Sequence, residues 1–362
     1  MPFDRLIPYN DLPPLPPGKE VENASILKEV IRASRALSEL NGLAGLLPNQ
    51  ALLVQAIGLQ EAKSSSEIEN IVTTNDELYL ALADGGSKID SQTKEVLYYK
   101  DALWHGFNAL QDEKRLLTTP LFEELAQITT NTTERVRKFS GTKLQNPLSR
   151  EIIYTPPEGE KIIRDKLANL EQFIYSEKNL DPLIKMAILH YQFEAIHPFS
   201  DGNGRVGRIL NILYLIHEGL LSLPILYLSR FIIENKRDYY LGLQNVTKEE
   251  AWEPWIMFML EGITYTALRT KNTLLKILKL FEETSKLIQT QLPKIYSKDL
   301  VELIFRQPYC RIAFLESAGI ARRQTASVYL KELERIGVLR GIKAGREWYF
   351  IHEALYKILI SE

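Results

Sequence analysis

The sequence predicts a mostly α-helical protein with one short β-hairpin near its middle and a second, smaller domain at its C-terminal end. Apolar residues recur at the three- and four-residue spacing of an amphipathic helix through most of the chain. β-Favouring residues gather in only two places, residues 152–155 and 338–351. After Pro293 the pattern changes to short helices followed by two strands, which indicates a separate domain.

The helices follow one another with few interruptions. A Pro-rich segment, residues 1–20, should be extended and packed on the surface or partly mobile. The main helical patterns cover residues 23–46, 48–70, 75–83, 91–110, 162–176, 182–196 and 270–292. Residues 298–362 should hold three helices and then two strands that meet around Ala344 and Gly345.

Composition and charge narrow the class of protein. The 362 residues suffice for two domains or one large one, and the 45% hydrophobic and 25% charged content is ordinary for a globular protein. The formal net charge of −2 argues against binding of the whole protein to nucleic acid or anionic lipid. A single cysteine, Cys310, excludes an intramolecular disulfide. Since no signal segment or membrane-length apolar run is found, we expect a cytoplasmic location and no membrane partner.

The segment HPFSDGNGRVGR, residues 197–208, lies between two apolar helical patterns. Its Gly-Asn-Gly sequence, residues 202–204, predicts a tight turn, because Gly and Asn tolerate the positive φ that other residues avoid. The backbone N–H groups of this turn would gather at the N-terminus of the second helix. Unpaired amides and the helix dipole both favour an anion there, so the segment predicts a phosphate site.

The side chains around this turn indicate nucleotide chemistry. His197 is a candidate base, and Asp201 offers a carboxylate suited to Mg²⁺, which also takes substrate phosphates as ligands. Arg205 and Arg208 are three residues apart, so they should share a helix face and fork onto phosphate oxygens. The segment therefore predicts a site that transfers a nucleotide phosphate.

With its His, its acid, the Gly-Asn-Gly turn and both arginines, this segment resembles the signature motif of the Fic family. The resemblance implies a protein adenylyltransferase that moves AMP from ATP, with Mg²⁺, to a Tyr, Thr or Ser hydroxyl of target proteins and of itself. It implies that His197 is the base, that Asp201 holds the metal and that Arg208 fixes the γ-phosphate. The implied ATP-binding residues are Asp201, Gly202, Asn203, Gly204, Arg205, Gly207, Arg208, Tyr239 and Tyr240, the two tyrosines beside the adenosine.

A second motif lies at the end of the helix predicted over residues 48–70. Ser65 and Glu69 are four residues apart and share a helix face. With Asn70 they resemble the Fic inhibitory motif, which implies that Glu69 pairs with Arg208 and takes the place of the γ-phosphate. The alternatives are a solvated, Ser-rich helix end, or a Glu69 that aligns water for removing AMP from a modified protein.

The β-favouring residues Ile152, Ile153 and Tyr154 predict a hairpin over about residues 149–162, with its turn at the prolines 156–157 and Gly159. An isolated hairpin has an open edge to which an extended peptide can add as a strand. The resemblance implies a flap that aligns the target over the site. The alternative is a hairpin that only covers the core.

The C-terminal pattern of three helices and a hairpin predicts a winged helix-turn-helix. Its third helix would begin with Arg322, Arg323 and Gln324, where base edges of DNA are read. Residues 298–362 carry 11 Lys and Arg against 8 Asp and Glu, a modest excess for a DNA-binding surface. DNA contact and a role in protein docking or homodimerisation both stay open.

Together these expectations describe a mostly α protein with a Fic/Doc-type helical core, a β-hairpin flap and a C-terminal winged helix. The expected parts are an N-terminal helical region (1–95), the catalytic core (96–265), a connecting helix (266–297) and the winged helix (298–362). The alternative function is a DNA-binding regulator that uses the Fic fold as a nucleotide sensor.

Overall fold

Helices dominate the computed structural model, as the apolar spacing predicts. The structure describes residues 3–45, 50–84, 89–133, 135–146, 149–344 and 347–360. The helices up to the flap are α1 (Ala24–Ala44), α2 (Gln50–Ile68), α3 (Asn75–Asp84), α4 (Ser91–Gln111) and α5 (Thr119–Thr130). The later helices are α6 (Glu160–Ser176), α7 (Pro182–Ile196), α8 (Asn203–His217), α9 (Leu228–Glu234), α10 (Lys236–Glu249), α11 (Trp252–Gln291), α12 (Lys298–Phe305), α13 (Ile312–Ser317), α14 (Arg323–Arg335) and α15 (Glu353–Ile360).

Helix α7 forms the centre of the larger domain. Almost all of its residues are buried, so it shows no polar face. Helix α8 packs against it closely because Gly207 has no side chain, and a Cβ there would overlap Oε1 of Glu194. Within the described residues, neither α7 nor any other helix is long and apolar enough to cross a membrane. The chain between α7 and α8 therefore starts from the buried centre of the domain.

The indole of Trp255 fixes how α10 and α11 pack around α7. It is fully buried, and its Nε1 donates a hydrogen bond of 2.8 Å to the carbonyl oxygen of Ala187. Helix α10 approaches this ring at Gly242, where an added Cβ would lie 2.8 Å from Cε3 of Trp255. Such a contact is too short for carbon atoms, so this packing requires a glycine.

Two expected domain boundaries fall inside continuous helices. Helix α4 runs through the boundary placed at residue 95, and α11 runs through the boundary placed at residue 265. The expected connecting helix is therefore the second part of a 40-residue helix that begins in the core. Its buried face continues across the boundary through Ile263, Ala267 and Thr270, so nothing ends the helix there.

The flap differs from its expected form. Strand β1 (Leu144–Gln145) pairs antiparallel with β2 (Ile152–Tyr154), so the partner strand precedes the β-favouring residues. The prolines at 156–157 cannot donate hydrogen bonds to a following strand, and they lead into α6 instead. Tyr154 is buried, and its hydroxyl donates to the carbonyl oxygen of Ala195 (2.8 Å). The Tyr154 side chain thus fastens the flap to α7, while Ile152 and Ile153 are half-buried.

The C-terminal domain contains α12 to α15 and a three-stranded sheet with the order β3 (Tyr309–Cys310), β5 (Glu347–Ile351), β4 (Arg340–Ala344). Cys310 lies in β3, a strand that was not among the two predicted for this domain, because a two-residue strand leaves no detectable pattern. Arg322, Arg323 and Gln324 are exposed at the start of α14. The element order agrees with a winged helix, which stays a prediction.

The C-terminal domain is held against α3 by four residues that we name the tyrosine brace: Asp76, Tyr79, Tyr309 and Tyr356. The hydroxyls of Tyr309 and Tyr356 both donate to Oδ1 of Asp76, at 2.7 and 2.6 Å. The buried ring of Tyr79 contacts both of their rings, with centroid distances of 6.0 Å to Tyr309 and 5.9 Å to Tyr356, and those two rings are 6.2 Å apart. The brace therefore joins this domain to the helix that follows α2.

We predict that Gly242→Ala lowers the free energy of unfolding by about 1–2 kcal/mol, because crowding against Trp255 outweighs the better helix propensity of alanine. Gly42→Ala is the matched control: Gly42 is also helical, but an added Cβ meets nothing within 4 Å. The free energy of unfolding of the Gly42→Ala variant should rise by about 0.5–1 kcal/mol. Chemical denaturation measures both, and equal stabilisation of the two variants would contradict the required close contact.

Candidate active site

The loop between α7 and α8 is fixed by its own backbone. His197 ends α7 in the left-handed conformation (φ 49°, ψ 60°), and Gly202 begins α8 with φ 77°. The Asn203 side chain locks the loop: its Oδ1 accepts from the Phe199 amide (2.8 Å) and its Nδ2 donates to the Phe199 carbonyl (2.7 Å). The predicted turn is therefore present, and it aims the first amides of α8 at one point.

His197 stands at the edge of this turn. Arg137 holds its backbone, since Nε of Arg137 donates to the His197 carbonyl (2.8 Å) and the Arg137 amide donates to the Pro198 carbonyl (2.9 Å). Burial lowers the pKa of His197 to about 4, and the positive charge of Arg137 acts in the same direction. The imidazole is therefore neutral at neutral pH and able to accept a proton.

Helix α2 delivers the two predicted inhibitory side chains to Arg208. Nε of Arg208 donates to Oγ of Ser65 (2.8 Å), and its Nη2 donates to the Ser65 carbonyl (2.9 Å) and to Oε1 of Glu69 (2.8 Å). The guanidinium is 2% exposed and the carboxylate 35%. Asn70 follows with φ 63°, where the chain turns away from α2. The structure thus brings the two motifs together.

The ion pair keeps both groups charged. Burial alone would raise the pKa of Glu69, but the charge and hydrogen bond of Arg208 outweigh it and hold that pKa below its ordinary value. For Arg208, burial would lower the pKa, and the charge of Glu69 more than restores it. Glu69 is therefore an anion at neutral pH.

The Glu69 carboxylate lies over the first turn of α8. A Cβ built on Gly204 would overlap Oε1 of Glu69 and lie 2.9 Å from Nη1 of Arg208. Only a glycine lets the carboxylate approach the helix so closely. An anion thus already occupies the place where the sequence predicts a phosphate.

Arg205 and Arg208 have different carboxylate partners. It is 2% exposed, and its Nη1 contacts Oε2 of Glu95 (3.1 Å) and the carbonyl of Thr129 (3.4 Å). Its Nη2 contacts Oδ2 of Asp201 at 3.4 Å. Helix α8 packs against α2 as well as α4 and α5, so carboxylates on different sides draw the two guanidinium groups apart. Asp201 itself is 77% exposed, which leaves it accessible to a cation.

Glu194 is a site residue that sequence reasoning missed. It lies three residues before His197 and close to Gly207, which therefore serves the packing of α7 on α8. Its Oε1 is buried and has no hydrogen-bond partner among the described residues. Burial raises the pKa of Glu194 to about 7, and the charge of Glu69 adds to this. Its helical spacing from His197 is the signal that could have found it.

The two expected adenosine tyrosines have different environments. Tyr239 is 2% exposed, and its hydroxyl shares a 2.8 Å hydrogen bond with Nε2 of His190. Tyr240 is 40% exposed and meets the Tyr239 ring edge-on at 5.2 Å. Burial raises the pKa of Tyr240, and the charge of Glu69 adds to this. Tyr239 is therefore a core residue, and only Tyr240 presents a ring surface near the ion pair.

Further contacts hold α2 in place. The buried carboxylate of Glu61 accepts from the hydroxyl of Tyr99 (3.0 Å) and from the amide (3.1 Å) and hydroxyl of Ser229. Nζ of Lys236 donates to the Ile68 carbonyl at 2.6 Å. Glu61 was also missed, although its four-residue spacing from Ser65 continues the same helix face.

We predict that His197 stays neutral down to about pH 4, as its lowered pKa requires. Because this pKa lies below that of an unfolded histidine, about 6.5, proton uptake by the unfolded state should reduce stability as the pH falls from 7 towards 4. Nitrogen-15 NMR titration of the imidazole measures the pKa, with the resonance assigned from His197→Asn. A midpoint near 6.5 would contradict the buried, neutral imidazole.

Two protein adenylyltransferases are among the proteins that are similar to this chain in sequence. A probable protein adenylyltransferase from Aquifex aeolicus is 26% identical over 197 residues, which are 54% of this chain and 55% of that protein. A protein adenylyltransferase from Caenorhabditis briggsae is 33% identical over 92 residues, which are 25% of this chain and 17% of that protein. The chain thus spans about half the length of the first relative and a sixth of the second.

Solved structures share the fold at low sequence identity. A Fic family protein from Desulfovibrio desulfuricans G20 is 19% identical with a TM-score of 0.57, covering 92% of this chain and 97% of that one. Fic-1 from Caenorhabditis elegans is 19% identical with a TM-score of 0.52, covering 68% and 74%. These similarities establish the fold and nothing finer.

Three family models match consecutive parts of the chain. "Fic/DOC family N-terminal" matches residues 27–108, and "Fic/DOC family" matches residues 116–215, which include the loop, His197 and Arg208. "Protein adenylyltransferase SoFic-like, C-terminal domain" matches residues 280–355. The chain belongs to the Fic/DOC family, with an N-terminal Fic/DOC domain, a Fic domain and a SoFic-like C-terminal domain.

Proposed function

We propose that this protein is an adenylyltransferase that moves AMP from ATP to a Tyr, Thr or Ser hydroxyl of target proteins and of itself. One observation carries the proposal: the Glu69 carboxylate lies on Arg208 and over Gly204, at the N-terminus of α8. A site that holds a carboxylate in this way is built for an anion. The names of the relatives and the neutral imidazole nearby support the same activity.

The nucleotide would bind along the start of α8. Its phosphates would meet the amides of residues 202–205, with Arg208 at the outer phosphate once Glu69 has left. Arg205, which is held in place by its ion pair with Glu95, would add positive charge near these phosphates. The exposed ring of Tyr240 offers a face to the adenine base.

Asp201 fits the Mg²⁺ that the family implies. Its carboxylate is 77% exposed beside the turn. No cluster of three or more His, Cys, Asp or Glu residues in the described ranges could hold a metal. A cation here would therefore take one carboxylate and draw its other ligands from phosphates and water, which is the usual set for Mg²⁺. Bound in this way, it would neutralise phosphate charge.

His197 would supply the proton acceptor. The target hydroxyl loses its proton to the neutral imidazole as its oxygen attacks the α-phosphorus. A new oxygen–phosphorus bond forms, the bond from the α-phosphorus to the bridging oxygen breaks, and diphosphate leaves. Arg137 holds the His197 backbone, so the ring keeps its position during the transfer.

Glu69 would inhibit this reaction in two ways. It neutralises the guanidinium that should bind the outer phosphate, and its own charge lies where that phosphate must approach. Because the charge of Arg208 is buried, the guanidinium would be destabilised without an anionic partner. ATP and Glu69 therefore compete for the same cation.

We predict that Glu69→Gly raises incorporation of label from α-³²P-ATP into protein by about tenfold or more, because Arg208 becomes available to the nucleotide. Glu67→Gly is the matched control, since it makes the same change two residues earlier, at the end of α2, and Glu67 has no ion pair among the described residues. Adding His197→Ala to the Glu69 variant should abolish the labelling.

Other outcomes would contradict parts of this proposal. Label from γ-³²P-ATP alone would show phosphoryl transfer and rule out adenylylation. Equal labelling with Glu67→Gly would remove the inhibitory role of Glu69. If no lane is labelled, the nucleotide-sensing regulator becomes the better hypothesis, and the exposed start of α14, with Arg322, Arg323 and Gln324, becomes the site to test for DNA contact.

The C-terminal domain would help to keep Glu69 in place. Nε2 of Gln60 on α2 donates to the Tyr79 hydroxyl at 3.0 Å, so the tyrosine brace is connected to the inhibitory helix. Residues 69–74 are all that separate α2 from α3. Loosening the brace should therefore let the end of α2 leave Arg208 more often.

We predict that Tyr309→Phe with Tyr356→Phe raises adenylylation several-fold when Glu69 is present, because both hydrogen bonds to Asp76 are lost while the rings remain. The same double substitution should leave the rate of adenylylation unchanged when it is added to Glu69→Gly. Tyr329→Phe, which removes a hydroxyl that bonds no described residue, is the control. Unchanged activity with Glu69 present, or an equal rise without it, would contradict the coupling.

A further inference from the structure

The chain that leads into the flap has an unusual charge. Residues 135–150 contain five basic residues and no Asp or Glu, although the protein as a whole has a net charge of −2. One of the five, Arg137, is buried. The other four are exposed: Arg135, Lys138, Lys143 and Arg150. We name residues 135–150 the basic segment.

The basic segment runs from the candidate base to the flap. At its start, Arg137 binds the backbone of His197 and Pro198. In its middle, the Gly141 amide donates to Oε1 of Glu158 at 2.6 Å. Near its end, Leu144 pairs with Tyr154 in the flap. A protein segment aligned on the flap must therefore lie beside these charges.

The acidic residues near this segment leave its charge largely uncompensated. Glu160 is shared between Arg164 (3.0 Å) and Lys138 (3.5 Å), and Glu151 is paired with Arg5. Glu158 is partly occupied by the Gly141 amide. Three basic side chains have no carboxylate partner among the described residues: Arg135, Lys143 and Arg150. The exposed charges of the basic segment itself are therefore all positive, and Glu134 and Glu151 flank it in the sequence.

An exposed aromatic ring stands within this surface. Phe139 is 87% exposed, more than any other large hydrophobic side chain of the described residues. It lies between Arg137, which binds the backbone of His197, and Gly141, which binds the side chain of Glu158. An aromatic ring held out from a fixed loop is the kind of residue that anchors a protein partner.

We propose that the basic segment selects the target: the modified hydroxyl lies in an acidic stretch of the partner that also carries an apolar side chain for Phe139. This inference rests on the proposed adenylyltransferase function and names its class of protein substrate. Charge complementarity would speed the encounter and discriminate against basic targets. The flap would supply backbone alignment, which by itself has no preference for charge.

The test compares two tyrosine peptides that differ only in having Asp and Glu or Lys and Arg beside the tyrosine. With the Glu69→Gly protein and α-³²P-ATP, we expect kcat/KM to be about tenfold higher for the acidic peptide, and the preference to shrink at high salt. Joint reversal of three charges, Lys138→Glu, Lys143→Glu and Arg150→Glu, should invert the preference. The control reverses three distant exposed lysines, Lys28→Glu, Lys276→Glu and Lys294→Glu, and should leave the preference unchanged.

Phe139→Ala separates anchoring from chemistry. It should raise KM for a peptide with an apolar residue by about fivefold and leave kcat unchanged, because the ring contacts the partner and no reacting atom. Equal rates for the two peptides, or an equal effect of both triple reversals, would overturn the proposed selection while labelling continues. Absence of all labelling would instead contradict the adenylyltransferase function itself.

Discussion

A guanidinium that is removed from water needs a negative partner, and this requirement at Arg208 governs the structure around it. Removing such a charge from water costs several kcal/mol, which only an anion and good hydrogen bonds can offset. Ser65 and Glu69 meet this need from α2. Under the proposed function a phosphate meets it equally well. Under that function, Arg208 therefore pairs either with Glu69 at the end of α2 or with a phosphate in the nucleotide site, and each partner excludes the other.

Two glycines make this arrangement sterically feasible. Gly204 admits the Glu69 carboxylate to the first turn of α8, and Gly207 lets α8 approach Glu194 on α7. Neither position needs an unusual φ; each needs the absence of a side chain. The close approach also concentrates charge, since Glu69 and Glu194 both lie near Arg208 and the first raises the pKa of the second. Tight packing and electrostatics thus arise from the same residues.

The sequence could predict the parts of the site that are close together in the chain. His197, Asp201 and the Gly-Asn-Gly turn form one segment, and the spacing of Ser65 and Glu69 puts both on one helix face. The helical spacing of Glu194 from His197 and of Glu61 from Ser65 is visible in the sequence, but this spacing alone does not show which helix faces pack around Arg208. Strand β1 has only two residues and leaves no periodic pattern. The paired state of Arg205 depends on Glu95, 110 residues away, which periodicity cannot reveal.

The sequence alone determined that the protein is mostly helical, that it has a Gly-Asn-Gly turn beside a candidate base, and that an acid lies near the end of a helix before that turn. These features follow from local spacing and from the backbone freedom of glycine. Only the tertiary structure decided that α2 reaches Arg208, that Tyr239 belongs to the core and that Arg205 turns to Glu95. Each of these depends on which helices pack together, because buried charges and hydroxyls take the partners that packing brings within reach.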